Sequence, residues 1–503
     1  MRVLQRAGLA CLLGLACSGS SFAARIRYVN ATNATPVAPY TNWGIAATNI
    51  QAAITEAASG DEILVAPGVY RIELAVAIPG DKRLTLRSTQ SRAAIIDAQR
   101  LCRGVMVFGT NSVIEGFTVR NGLDAGYAGG IYTEAACTIR DCLVTSNQAY
   151  GAAGVFIYGA ATVENCTIRN NLATDFGGGL MFYAGTTGVV RNCTISDNVA
   201  SNYGGGVYIQ YGGMLSNCWI SGNRILEADA GGGGVFMSAQ GTTNGGAIVN
   251  SVICDNSSSQ DGGGIYCAGA AGLLSPIVNC TVVSNRAGRF GGGIFANQTR
   301  MINDIFYFNA APTGANLYQD SHSGLASNCC VIPMPDTNGL TCFTNAPAFV
   351  DYAGRNLHLA AGSACIDAGA TNNAPGNDYA GNPRPAPGVA GGAALFDVGA
   401  FEYQIPVEVC DGIDNDGDAQ VDEDCRSSSS YFSINQAVRC TSAGWSRTFA
   451  MDLTNFRNIA VQDGYQSYTV SYALFYNIWT GLYLFDYDAG AFTALTWLTN
   501  LDL

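Results

Sequence analysis

The sequence predicts an all-β chain wound as a parallel β-helix, and three recurring features predict it. Asn recurs at Asn121, Asn147, Asn171, Asn198, Asn223, Asn256, Asn285 and Asn309, with steps between 24 and 33 residues. Five residues before most of these stands a Cys: Cys142, Cys166, Cys193, Cys218 and Cys280, with Gly116, Ser251 and Asp304 in the other slots. A glycine block and an apolar pair complete the unit, as in GGGLMF from Gly177, GGGVYI from Gly204 and GGGIYC from Gly262. The strand-like pieces are too short for the amphipathic windows of a helical solenoid. Cys-x-Ile alternation turns two side chains inward and the one between them outward. An apolar residue lies three before each Asn except the first, where Thr118 stands.

Stacking explains these residue types. An Asn at one corner of every coil can bond amide to amide up the stack. Aligned inward thiols act as small hydrophobes, and their parallel Cβ vectors suit a disulfide torsion badly. Eight repeats at ~4.8 Å each extend ~38 Å.

In chain order, Arg2 and Arg6, the apolar run Leu9–Leu15 and Ser21-Phe22-Ala23 read as a signal peptide over 1–23. Its removal changes the formal charge from −13 to −15 and leaves 16 of 18 Cys in an oxidising compartment. The β-helix with its caps takes 24–405. The pattern from Asn49 to Ile63, with Ile50, Ala53, Ile54 and Ala57 on one face, predicts a helix capping the N-terminal end. EILVAPGVY from Glu62, RLTLRS from Arg83 and VMVFG from Val105 predict coils before Asn121. A C-terminal cap is expected from NLHLAAGSACIDAG at Asn356, GNPRP at Gly381 and FDVGAFEYQ at Phe396.

An acidic segment spans 406–426. Asp414, Asp416 and Asp418 fall at positions 1, 3 and 5 of a D-x-D-x-D loop and Asp422 at position 9, hard oxygen donors that suit calcium. Ala419 and Cys425 depart from the full loop pattern. Cys410 and Cys425 bracket the loop, and a disulfide between them would close it. A Ser run from Ser427 to Ser430 then leads into an aromatic-rich tail to 503, whose period-2 pattern (Val470, Tyr472, Leu474, Tyr476, Ile478) predicts a small β domain.

On these motifs the chain resembles right-handed parallel β-helices of the pectate-lyase type and the repeats of chlamydial polymorphic outer-membrane proteins. Phe306-Tyr307-Phe308-Asn309 fits the F-x-x-N motif of the latter and Gly245-Gly246-Ala247-Ile248 its G-G-A-I. The start and end of residues 26–404 resemble bacterial surface proteins with a choice-of-anchor domain, and the acidic segment resembles a metal-binding motif of bacterial surface proteins. The resemblance implies a pectin-lyase-like solenoid, export, and a place in the medium, at the cell surface or on the outer membrane.

Composition restricts function further. A strongly acidic chain with Lys82 as its sole lysine offers no footprint for nucleic acid or an anionic membrane. A transmembrane helix is not expected, and neither is oligomerisation. Lys82 lies near the N-terminal end, which argues against a lyase with a lysine base. His322 and His358 lack any catalytic motif around them. The catalytic candidates are Asp175, Asp229 and Asp261, which precede glycine blocks as Asn202 and Arg289 do; stacking would put them on one face. Asp229 and Asp261 would then stand ~4.8 Å apart, and Asp175 and Asp229 ~9.6 Å apart, near the two glycosidase spacings. Asp and Asn are also the ordinary turn residues at such corners. The expected function is binding of polysaccharide, surface glycans or other surfaces, as in an adhesin or matrix protein, and the sequence leaves catalysis open while leaning against it. A polysaccharide lyase or glycoside hydrolase and a purely structural stalk are the alternatives. Aromatic residues lining a groove beside a carboxylate pair would mark the enzyme; flat Asn and Gly ladders would mark adhesion or scaffolding.

Overall fold

The computed structural model describes residues 24–183, 185–227, 231–239, 246–269, 274–320, 324–335, 341–371, 373–389 and 392–405, and the backbone of 472–477, 481–486 and 491–494. The chain divides into two compact units between Asn345 and Ala346. The boundary falls inside the 24–405 span, where parallel pairing gives way to short antiparallel pairs such as Phe349–Asp351 with Asn356–Leu359.

The first unit is the expected all-β parallel solenoid. The coils build four parallel sheets, of twelve, eleven, seven and ten strands among the described residues, and the coils of the middle of the stack contribute a strand to each. One coil runs Thr138–Arg140, Leu143–Thr145, Gln148–Gly151 and Val155–Ile157. Twelve strands at ~4.8 Å make a stack of ~53 Å. Apolar residues at alternate positions point inward, so Ile139, Val144, Val155 and Ile157 are all buried. The helix Ile50–Glu56 closes the N-terminal end with Ile50, Ala53 and Ile54 buried, and the Asn49 side chain caps its start. Lys82 Nζ donates to the Ile54 and Thr55 carbonyls, each at 2.9 Å, and so satisfies the other end of the helix.

The Asn ladder exists, with two corrections. It begins at Asn147, not Asn121. Pairing of Leu143 with Thr118 and Val144 with Val119 puts Gly122 in the ladder slot, and the Gly122 N–H donates to Asn147 Oδ1 at 2.8 Å. Asn121 instead adopts a left-handed conformation and donates to Asp97 at 2.9 Å. In this register Val119 and Phe117 fill the slots where Thr118 and Gly116 looked exceptional, and both are buried. The ladder also continues past Asn309, whose N–H and amide both donate to Asn316 Oδ1. Between these ends Asn171, Asn198 and Asn223 share one column, as do Cys166, Cys193 and Cys218 in unbridged form.

Each glycine of the triplet has its own role. Gly262, the first of its block, has φ +60° and turns the corner. A Cβ on the second, Gly263, would lie 2.5 Å from the Gly292 carbonyl of the next coil. A Cβ on the third, Gly264, would lie 2.9 Å from the amide of Asn285.

In the second unit, GNPRP and FDVGAFE are parts of one buried network. Arg384 Nε donates to Glu402 at 2.6 Å with both side chains fully buried. Asp397 accepts the backbone N–H groups of Asp367 (2.7 Å) and Tyr403 (2.5 Å), and Asp378 accepts those of Asn382 (2.7 Å) and Glu402 (3.0 Å). Burial first, then the charge of Glu402, pushes the Asp397 carboxyl up to about 7. An unfolded Asp loses its proton near ~3.9, so between these values the folded chain binds more protons and this contribution to stability falls as pH rises. Thermal unfolding is therefore expected at a higher temperature at pH 5 than at pH 8. Asp397→Asn should reduce that difference by about 3 °C; an unchanged difference would refute the assignment. The aromatic tail forms an antiparallel sheet of Tyr472–Asn477, Gly481–Asp486 and Ala491–Ala494.

Candidate functional site

The ten-stranded sheet presents an aromatic column on its outer side. Register places Met106, Tyr132, Phe156, Met181, Tyr208, Phe236, Tyr266, Phe295 and Tyr318 in successive coils at one position. Each follows an inward Val, Ile or Leu, so alternation turns it away from the solenoid interior. Phe156, Met181, Phe236 and Phe295 are nonetheless buried, Phe156 and Met181 in a second apolar cluster with Ala128 and Ala152 against which Tyr127, Tyr132, Phe176 and Tyr208 pack. Tyr132 stacks on Phe156 at 5.2 Å, Phe236 on Tyr266 at 5.0 Å and Tyr266 on Phe295 at 4.6 Å. A second column at the preceding corner contains Tyr127, Phe176, Tyr203, Gly231, Asp261 and Phe290. Its rings lean onto the first column, as Tyr127 does on Phe156 at 4.8 Å and Tyr203 on Phe236 at 4.7 Å. Tyr150 and Tyr158 stand out most, at 42% and 51% exposure. The sequence carried this signal in the second residue after each glycine block, which reads there only as half of an apolar pair.

Carboxylates border the rings, each with a partner. Asp175 accepts from the Asn202 amide at 2.6 Å, and its carboxylate raises the ionisation of the neighbouring Tyr150 phenol. Asp261 receives Arg289 through Nε at 3.0 Å and Nη2 at 2.5 Å, and the Phe290 N–H at 3.2 Å. Arg103 binds Asp124 at 2.8 Å and lies 5.0 Å over the Tyr132 ring. The Tyr132 hydroxyl donates to Glu134 at 2.5 Å; burial, then this bond, pushes its ionisation up to about 12. Burial likewise raises Tyr127, Tyr208 and Tyr266, so the phenols are neutral donors. Beside Tyr150 a groove of about 760 Å³ is lined by Leu74, Leu101, Arg103, Leu123 and Asp124.

The structure separates two of the three catalytic candidates. Asp175 shares its position with Asn202, whereas Asp261 is one residue further on, in the column of Tyr203 and Gly231. They are three coil steps apart, ~14 Å at the strand spacing, beyond the ~6.5–9.5 Å of an inverting pair. Asp229, which both candidate pairs require, lies outside the described residues, as do His322, the calcium loop of Asp414, Asp416, Asp418 and Asp422, and Cys410 and Cys425. His358 packs its ring on Phe401 at 4.2 Å. Among the described residues there is no cluster of three or more His, Cys, Asp or Glu placed to hold a metal, and no helix long and apolar enough to cross a membrane.

A family model described as right handed beta helix region matches residues 103–287. Among solved structures, pectate lyase Pel9A is similar with a TM-score of 0.54 and 18% identity, covering 76% of this chain and 98% of that one. The solenoid is a right-handed parallel β-helix. The PL6 family polysaccharide lyase Pedsa3628 from Pseudopedobacter saltans also matches, at 14% identity, TM-score 0.24, 55% of this chain and 92% of that one. No curated protein matches the sequence.

Proposed function

We propose that the protein is an exported β-helix that binds polysaccharide along its aromatic face, at the cell surface or in the medium. The observation that carries this reading is the row of rings on this face, half-buried at Tyr132, Tyr208, Tyr266 and Tyr318 and exposed at Tyr150 and Tyr158, bordered by hydrogen-bonding carboxylates. The C–H face of a pyranose packs on an aromatic ring, and the acids and Arg side chains beside it can take the sugar hydroxyls. Coils repeat at ~4.8 Å, close to the length of a sugar residue, so a chain lying along the solenoid axis would meet similar groups in successive coils. Calcium at the acidic segment remains part of the proposal, as a structural ion.

Cleavage is the second reading, and the Tyr150–Asp175–Asn202 group is where it would reside. The fold likeness to a pectate lyase does not carry an activity. Lys82 is occupied by the helix carbonyls, and Asp261 is neutralised by Arg289.

The test is a binding and cleavage screen of the mature protein against neutral and acidic polysaccharides, with and without calcium. Tyr150→Ala combined with Tyr158→Ala is expected to weaken binding about tenfold, equivalent to ~1.4 kcal/mol, with unchanged circular dichroism. Asp175→Asn is expected to bind within about twofold of the parent, well under ~1 kcal/mol. Absence of binding to every polysaccharide would refute the reading. Cleavage by the parent that disappears in Asp175→Asn would replace it with the enzyme.

A further inference from the structure

The inward thiol column does not stop with the repeat. Each member is the side chain that accepts the backbone N–H of its counterpart one coil earlier. The Cys142 N–H points to Cys166 Sγ at 3.4 Å, the Cys166 N–H to Cys193 Sγ at 3.4 Å, and the Cys218 N–H to Ser251 Oγ at 3.1 Å. The Cys280 N–H donates to Asp304 Oδ1 at 2.7 Å. Beyond Asp304 come Cys329 and then Cys342. Ile305 pairs with Cys330, which sets Cys329 over Asp304. Phe343 forms a parallel bridge to Cys330, with the Phe343 N–H on the Cys329 carbonyl at 3.0 Å and the Val331 N–H on the Phe343 carbonyl at 2.9 Å. That register sets Cys342 beside Cys329, on the inward side of the last rung.

Burial distinguishes this pair from the rest of the column. Cys142, Cys166, Cys193 and Cys218 are at most 2% exposed, so no solute reaches them. Cys329 is fully buried, whereas Cys342 is only partly so and packs on the edge of the core. Cys342 is therefore the outlet of the column to solvent, and a second thiol lies directly behind it.

We propose that Cys342 and Cys329 form a reversible redox pair, with Cys342 as the attacking thiol, Cys329 as the resolving thiol and a low-molecular-weight disulfide as the oxidant. The Cys342 thiolate attacks one sulfur of the oxidant, forming a mixed disulfide and expelling one thiolate, which takes the proton of Cys329. The Cys329 thiolate then attacks Cys342 Sγ and expels the second thiolate, which is protonated by water. Two protein thiols are oxidised to one disulfide, and one small disulfide is reduced to two thiols. Hydrogen bonding from the Cys329 thiol lowers Cys342 to about 7, while burial raises Cys329, the order that attack followed by resolution requires.

The experiment uses the full mature chain, reduced, freed of reductant, exposed to oxidised glutathione near neutral pH and mapped by peptide mass spectrometry. A peptide pair linked through Cys329 and Cys342 is expected in the parent. It should vanish in Cys342→Ser, and Cys329→Ser should accumulate a glutathione adduct on Cys342. Cys102 is the internal comparison: it is also partly exposed, and burial raises its ionisation. The proposal is overturned if Cys342 stays unmodified while Cys102 reacts, or if the parent retains the adduct on Cys342 without forming the bridge.

Discussion

Asn198→Ala is expected to destabilise the solenoid by about 4 kcal/mol or more, because it strips partners from several buried groups at once. The Asn198 amide donates to the Ile168 carbonyl at 2.9 Å and to Asn223 Oδ1 at 3.0 Å. Its own Oδ1 accepts both the Asn171 backbone N–H at 3.0 Å and the Asn171 amide at 2.9 Å. Every polar atom of the side chain is used, and Asn198, Asn171 and Asn223 are at most 1% exposed. Alanine removes the acceptor of two donors and the donor of two acceptors, and water has no open route to replace them. At ~1–3 kcal/mol for each unsatisfied group, partial relaxation still leaves a large fraction of a typical stability of ~5–15 kcal/mol. Thermal and denaturant unfolding followed by circular dichroism would measure it. Asn121→Gly is the control. Asn121 lies outside the ladder at φ +55°, a conformation glycine accepts, and loses only its bond to Asp97. A loss below ~1 kcal/mol is expected there. Equal losses in the two variants would mean that the ladder does not hold the coils together.

The Asn121 correction shows what the sequence could and could not disclose. Periodicity reveals the repeat because stacking forces one residue type into one slot, coil after coil. It does not reveal a slot that another residue fills. Gly122 occupies the ladder position by contributing only its backbone N–H, and a neighbouring Asn draws the eye one residue too early. Asn316 was hidden for the opposite reason. It follows Asn309 by only seven residues, within the same coil at the position the third glycine of the block holds elsewhere (Ile294 pairs with Leu317), yet its amide still closes the ladder on the Ile332 carbonyl at 2.8 Å. The aromatic column was legible in principle, since Tyr208, Phe236, Tyr266 and Phe295 all stand second after a glycine block. Strand alternation, applied there, turns the first residue inward and the second outward. The separation of Asp175 from Asp261 was not legible. It depends on which residue of each corner pairs with the next coil, and corners differ by one residue in how they enter the glycine block.

Gly233→Ala is expected to be nearly as damaging, about 3 kcal/mol, at the upper end of overpacking effects. The added Cβ would lie 2.4 Å from the Gly263 carbonyl oxygen and 2.5 Å from the Ser257 carbonyl group. Both obstacles are backbone on the next coil, so no side-chain rotation can relieve them. Moving them means prying apart a rung in which the Gly233 N–H donates to the Gly262 carbonyl at 2.9 Å. The same exclusion repeats along the stack. A Cβ on Gly205 would meet the Gly233 carbonyl at 2.4 Å, and one on Gly178 the Gly205 carbonyl at 2.3 Å. Backbone torsion is not the cause, since Gly233 is not among the glycines with positive φ. Gly376→Ala supplies the comparison. It also lies outside the left-handed region, and nothing stands within 4 Å of the place its Cβ would take. That variant should stay within ~0.5 kcal/mol of the parent, or gain slightly from a stiffer unfolded chain. Denaturant titration of both variants measures the contrast. If Gly233→Ala unfolds at the parent's midpoint, close backbone approach is not what keeps glycine at the second position of each block.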